Sequence, residues 1–255
     1  MNFCLGKKPA RPGDVELRLA SYLDTTQLPS VPAVIGNFAA WPQQWQMLSN
    51  NVVGCCVEAG AAHETMLLKA DAGFPIPPFS DSVVLQDYAA CGSGYVVGNE
   101  ATDQGTDVQQ YAAYRQKTGI LDAAGQRHKI EIYTALKVGD VNELALAVYL
   151  FGAVGIGLQL PTSAMDQFQL FEPWSVASGN GTEGGHYVPM IGRNSLNNWI
   201  CVTWGRLQAL TPSFISSYMD EGLVYISPER VSAKGLSPQG FDLAGLQKDY
   251  AAVTA

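Results

Sequence analysis

Asn50-Asn51-Val52-Val53-Gly54-Cys55-Cys56-Val57-Glu58-Ala59-Gly60-Ala61-Ala62-His63-Glu64-Thr65-Met66-Leu67-Leu68 is the stretch on which the fold turns. Its first five residues read as a turn. Cys56, Ala59, Ala62, Met66 and Leu67 then recur with the 3.6-residue period, which predicts a helix from about Cys55 to Ala70. Two cysteines therefore stand at a helix start. There the helix carries roughly half a positive charge, and nearby donors lower a thiol pKa below its free value of about 8.5. Adjacent helical positions diverge, so the two side chains face different ways and a bond between them is not expected. A nucleophilic thiol needs a base from elsewhere in the chain. His186, in Glu183-Gly184-Gly185-His186-Tyr187-Val188-Pro189, is the candidate. His63 lies about 10 Å along the same helix from Cys56, too far for that role, and reads as a core histidine.

Around this stretch the 255 residues are 47% hydrophobic and 15% charged, a composition for a well-buried globule. A formal net charge of -8, with 15 scattered basic residues, excludes a nucleic-acid-binding surface, which needs clustered Lys and Arg. Met1-Asn2-Phe3-Cys4-Leu5-Gly6 lacks the apolar core of a signal peptide. The longest apolar run, Leu144 to Leu160, spans about 17 residues and is broken by Gln159 and glycines, so no membrane span is expected. Five cysteines without regular spacing do not suggest a disulfide framework and suit a reducing compartment. No CxxC occurs and no two histidines have ligand spacing, so no metal or other cofactor is expected.

The first 30 residues read as an arm, with Val15 to Leu19 alternating like an extended segment. Residues 31–228 form the main domain and 229–255 a polar tail that docks as a short helix. Ser80 reads as the cap of a helix reaching Cys91. Thr102 to Asp107 reads as the start of another ending at Gly119, with Asp103 and Asp107 capping and charging it. His128 to Val138 alternates like a strand, placing His128 at the surface. Asp140 caps a helix from Val141 to Phe151. Ala153 to Leu160 is a buried strand whose Gly155 and Gly157 permit close approach. His186–Gly192 and Trp199–Trp204 make a hairpin-like pair, Ser213–Glu221 a helix and Leu223–Ser227 a last strand. Gly152 to Gly157 imitates a dinucleotide loop but leads into a strand instead of opening a helix. Helices first and strands later give an α+β class.

Gly54-Cys55-Cys56, Gly185-His186 and Trp204-Gly205 follow one another in the order found in papain-like cysteine peptidases, and the chain resembles that superfamily. The resemblance extends to papain-like proteins of tailed bacteriophages and prophages. It rests there on the Asn50-to-Cys56 turn with His63 seven residues into the helix. Thr102 to Gly105, Phe151-Gly152, Gly184-Gly185-His186, Thr203-Trp204-Gly205 and the Tyr218-to-Glu221 helix add to it. It implies an α+β fold, a helical half packed on an antiparallel strand-rich half with a cleft between. It also implies Cys56 as nucleophile, His186 as general base and Asn50, with the Cys56 backbone N–H, as the oxyanion hole, worth about 3 kcal/mol per donor.

One position departs from the family pattern. The orienting Asn two residues before the Trp is Val202 here, which cannot accept a hydrogen bond from His186; Thr203, with Trp204 beside it, and Asn197 or Asn198 are the nearby polar substitutes. Two function classes follow. One is a phage-encoded thiol hydrolase of peptide or isopeptide bonds working through a Cys56–His186 dyad on a peptide or protein substrate. The other is a virion structural or interaction protein, a capsid or tail component that keeps the fold with little or no activity and binds other virion subunits. Either implies synthesis in the host cytoplasm, with virion association in the second.

Overall fold

The computed structural model describes residues 3–11, 13–179, 181–229 and 241–253. The fold is α+β. One half is helical: α1 (Cys56–Asp71), α2 (Asp81–Ala90) and α3 (Val108–Lys117). The other half is a six-stranded antiparallel sheet ordered β3-β8-β4-β5-β6-β7, with a separate two-stranded ribbon of β1 (Ile120–Leu121) and β2 (Arg127–His128). The sheet strands are β3 (Ile132–Ala135), β4 (Val154–Pro161), β5 (Thr182–Arg193), β6 (Trp199–Thr203), β7 (Arg206–Leu210) and β8 (Met219–Ile226). Helices α4 (Val141–Phe151), α5 (Thr162–Gln169), α6 (Pro212–Tyr218) and α7 (Leu243–Val253) complete it. Among the described residues no helix is long and apolar enough to cross a membrane.

Helix α1 is buried all round, from Cys56 to Leu68, because the other helices cover one side and β5 the other. Gly60 makes the docking on β5 possible. A Cβ there would stand 2.6 Å from the Tyr187 ring, and a Cβ at Gly155 on β4 would overlap the Tyr187 hydroxyl. Glycines on two elements thus make the slot for one tyrosine. Burial of large apolar side chains on both sheet faces contributes about 1.5–3 kcal/mol each. Leu67, Tyr88 and Tyr111 do so on the α1 side, and Phe151, Ile156 and Phe214 on the other.

The helix from Val141 to Phe151 stands as its sequence reads, with Asp140 Oδ1 accepting from the N–H groups of Asn142 and Glu143. Other boundaries differ. The chain from 128 to 138 is broken after β2, so only Ile132–Ala135 joins the sheet. His128 is not a surface residue. Its Nε2 lies 2.9 Å from Asp122 Oδ2 with both side chains largely buried. Helix α6 ends at Tyr218, not Glu221, because Met219 already adopts extended backbone and opens β8. Ser80 precedes α2 without a side-chain capping bond, its hydroxyl pairing with Ser82 instead. Asp107 caps α3 through Gln110 N–H, at 2.8 Å. Asp103 does not cap it; its carboxylate accepts the Gly54 N–H at 2.6 Å and the Tyr88 hydroxyl. Helix α5 and strand β7 stand where the sequence reading expects no element.

Candidate active site

Gly54 and Cys55 bring the chain into α1, and Cys56 is its first residue, so the Cys56 N–H has no acceptor inside the helix. Asp103 fixes this entrance by binding Gly54 N–H. Cys55 turns away from the cleft, its thiol 3.4 Å from the Leu48 carbonyl. Cys56 points at β5. Burial pushes its thiol up to about 12, against the backbone N–H groups of Tyr187 and Gly6 and the Lys7 ammonium, which favour the thiolate. The five cysteines are free thiols.

His186 precedes Tyr187 on β5, opposite Leu158 of β4. It is wholly buried, and burial alone pushes its pKa down to about 3. The ring stacks on Trp204 at a centroid distance of 4.4 Å and an interplanar angle of 19°, with Trp174 edge-on at 6.4 Å. Its Nε2 lies 2.7 Å from Thr203 Oγ1, and its Nδ1 has no hydrogen-bond partner among the described residues. The imidazole is therefore held at one nitrogen and free at the other.

Trp204 reaches this stacking position through backbone strain. Strands β6 and β7 pair Thr203 with Arg206, leaving Trp204 and Gly205 as a two-residue turn with φ of 44° and 75°. Positive φ at both central positions is the geometry such hairpins favour, but a non-glycine residue adopts it at a cost of about 1–2 kcal/mol. The indole ring is what the strain serves.

Asn50 is 3% exposed and its Oδ1 is buried without a hydrogen-bond partner among the described residues. It ends a loop in which Gln46, Leu48 and Ser49 all have positive φ. His63 holds that loop. Its Nε2–H donates to the Trp45 carbonyl at 2.5 Å and the Gln46 carbonyl at 3.1 Å, while burial pushes its pKa down to about 4. The core histidine of the sequence reading thus positions the loop that presents Asn50.

The cleft is occupied by the chain itself. Phe3 stacks on the outer face of Trp204 at 4.8 Å, and the Trp204 indole N–H donates to the Cys4 carbonyl at 3.3 Å. Cys4 N–H donates to the Asn50 carbonyl, Thr106 N–H to the Gly6 carbonyl at 2.7 Å and Lys7 N–H to the Gly185 carbonyl at 3.0 Å. Residues 3–8 therefore run between the Cys56 side and the His186 side of the cleft. Nothing in the sequence pattern placed them there; the pairing of Gly6 with Gly54 and Gly105 is visible only in three dimensions.

No protein-family model matches the sequence, and no curated protein matches it. Solved structures do. Xylellain, a cysteine protease from Xylella fastidiosa, superposes with a TM-score of 0.66 at 12% identity, over 89% of this chain and 97% of that one. The fold is papain-like. Procathepsin B S9 from Trypanosoma congolense gives 0.63 at 12% identity, over 88% and 86% of the two chains. The cysteine protease CMS1MS2 of Carica candamarcensis, solved with E-64, gives 0.58 at 13% identity, over 77% and 99%. At these identities the likeness is one of fold. In this chain Cys56 heads the central helix and His186 lies on the strand packed against it.

Proposed function

We propose that this chain is a thiol hydrolase of peptide or isopeptide bonds, with Cys56 as nucleophile and His186 as general base. The observation that carries the reading is the one-sided tethering of His186: Thr203 at Nε2, and a free Nδ1 on the strand that packs against the Cys56 helix. Thr203 then does the orienting work that Val202 cannot.

In this reading the Cys56 proton passes to His186 Nδ1 as sulfur attacks the substrate carbonyl carbon. The Cys56 N–H and the Asn50 side-chain amide receive the oxyanion. The imidazolium returns its proton to the leaving amine, and the S-acyl group is hydrolysed by water that His186 deprotonates. Burial keeps both groups neutral while residues 3–8 fill the cleft. Their departure admits water and moves the thiol down and the imidazole up, toward proton exchange. The ordered sequence motifs carry the phage-encoded part of the proposal, with residues 31–228 as the hydrolase domain between arm and tail. Peptide hydrolysis by full-length Lys7→Glu, which frees the cleft of residues 3–8, alone and combined with Cys56→Ser or with His186→Ala, is the test. Loss of turnover in both variants supports the reading, and turnover retained by either overturns it.

A further inference from the structure

Residues 5–7 are not merely laid over the thiol; the cleft is cut to their shape. A Cβ on Gly54 would stand 2.8 Å from Gly6 Cα and from the Leu5 carbonyl oxygen. A Cβ on Gly105 would overlap the Gly6 carbonyl, and one on Gly185 the Lys7 carbonyl. In the other direction, a Cβ on Gly6 would overlap the Gly54 carbonyl. Backbone lies against backbone on both sides of the chain that passes Cys56, so no side chain fits at that point. Heavy atoms of the main chain cannot yield as a flexible side chain can.

The next position is built for a cation. The Lys7 side chain is fully buried, its Nζ 2.9 Å from Asp220 Oδ2, 3.1 Å from Glu221 Oε1 and 2.9 Å from the Lys8 carbonyl. A Cβ on Gly157 would overlap the Lys7 stem, so Gly157 makes the channel that the stem fills. Gln159 Nε2 steadies Asp220 at 2.6 Å. A buried ammonium needs its partners, and here each is present.

We propose that the cleft is selective for extended peptides carrying glycine at the position that passes Cys56 and lysine next to it. Residues 3–8 are the resident example. The Gly6 N–H favours the Cys56 thiolate and the Gly6 carbonyl accepts from Thr106 N–H at 2.7 Å, so both backbone groups of this glycine are engaged. That such peptides are substrates rests on the hydrolase reading above; that the groove holds them does not.

A tethered segment competes at an effective concentration of about millimolar, so it must be displaced before a free peptide is tested. Full-length Gly6→Val has a side chain that the slot excludes, and Lys7→Glu places a carboxylate against Asp220 and Glu221. Each raises alkylation of Cys56 by iodoacetamide about tenfold or more over the native chain. Should one variant unfold by circular dichroism, the other serves. Free Phe-Ser-Leu-Gly-Lys-Lys, the sequence of residues 3–8 with Ser in place of Cys4 so that the peptide itself is not alkylated, then slows the alkylation, while the analogues with Ala for Gly or Glu for the first Lys need about tenfold higher concentration. Equal protection by all three peptides, protection by none, or no gain in alkylation from either folded variant overturns the proposal. Hydrolysis is read in parallel samples of the same variants and peptides without iodoacetamide. Selective protection without cleavage leaves the groove assignment standing and removes the hydrolase reading. Cleavage of the Ala analogue as fast as the Gly peptide does the reverse.

Discussion

The Thr203 hydroxyl stands 2.7 Å from His186 Nε2, one residue nearer Trp204 than Val202, where the family pattern has its asparagine. The contact arises because β6 ends at Thr203, directly before a turn that swings Trp204 over the imidazole, and in the proposed mechanism it replaces that asparagine. Thr203→Val keeps the shape and removes the partner. We expect kcat to fall about 10–100-fold with KM nearly unchanged, since the loss is one of imidazole orientation. Thr203→Ser restores most of the rate. Steady-state kinetics on a peptide substrate, with all proteins carrying Lys7→Glu to free the cleft, checks both.

Glu58 sits two residues beyond Cys56 with Oε1 accepting from Thr106 at 2.7 Å and Cys91 at 3.4 Å. Burial pushes its carboxyl up to about 7. The folded state therefore keeps a proton that the unfolded chain releases near its ordinary pKa of 4.5. This contribution to stability is complete below pH 4.5 and is lost as pH rises through about 7. Relative to the native chain, Glu58→Gln gains stability across that interval and no more above it. Urea midpoints measured at pH 5, 6, 7 and 8 give the difference.

The Trp45 and Gln46 carbonyls both depend on His63. His63→Ala leaves them without a donor beneath a loop of positive-φ residues, which costs about 1–3 kcal/mol. A lower melting temperature is expected, together with a lower kcat because Asn50 ends that loop. Calorimetry and kinetics on the same protein test the pair of effects.

Arg115 and Glu64 form a buried pair at 2.6 Å, with the guanidinium 4.2 Å from the Tyr225 ring centre. Arg115→Ala strands a buried carboxylate and is expected to cost about 3–5 kcal/mol. The double change Arg115→Met with Glu64→Leu costs far less. Denaturant unfolding of the three proteins separates the alternatives.

The longer helices were legible because periodicity and caps are local: α1 and α4 stand within a residue or two of their expected bounds. Cys56, His186 and the Thr-Trp-Gly turn were legible as motifs in order. The breaks in 128–138 and at Met219 were not, since each is decided by which partner strand is available. Nor was the role of Asp103. A carboxylate four residues before another reads as helix chemistry until the Gly54 N–H arrives from 49 residues away. The occupied cleft was hidden for the same reason. Glycine at 6, 54, 105, 157 and 185 has no shared period, and only contact between distant segments gives those residues a common purpose.

The central claim is that Cys56 attacks with His186 as its base, and covalent trapping tests it most directly. Full-length Lys7→Glu is treated at pH 7 with a peptidyl electrophile carrying glycine at the reacting position, and the modified residue is located by mass spectrometry. The account predicts a single adduct on Cys56, formed about a hundredfold more slowly when His186→Ala is added. An adduct on another cysteine, or one on Cys56 at the same rate without His186, would contradict it.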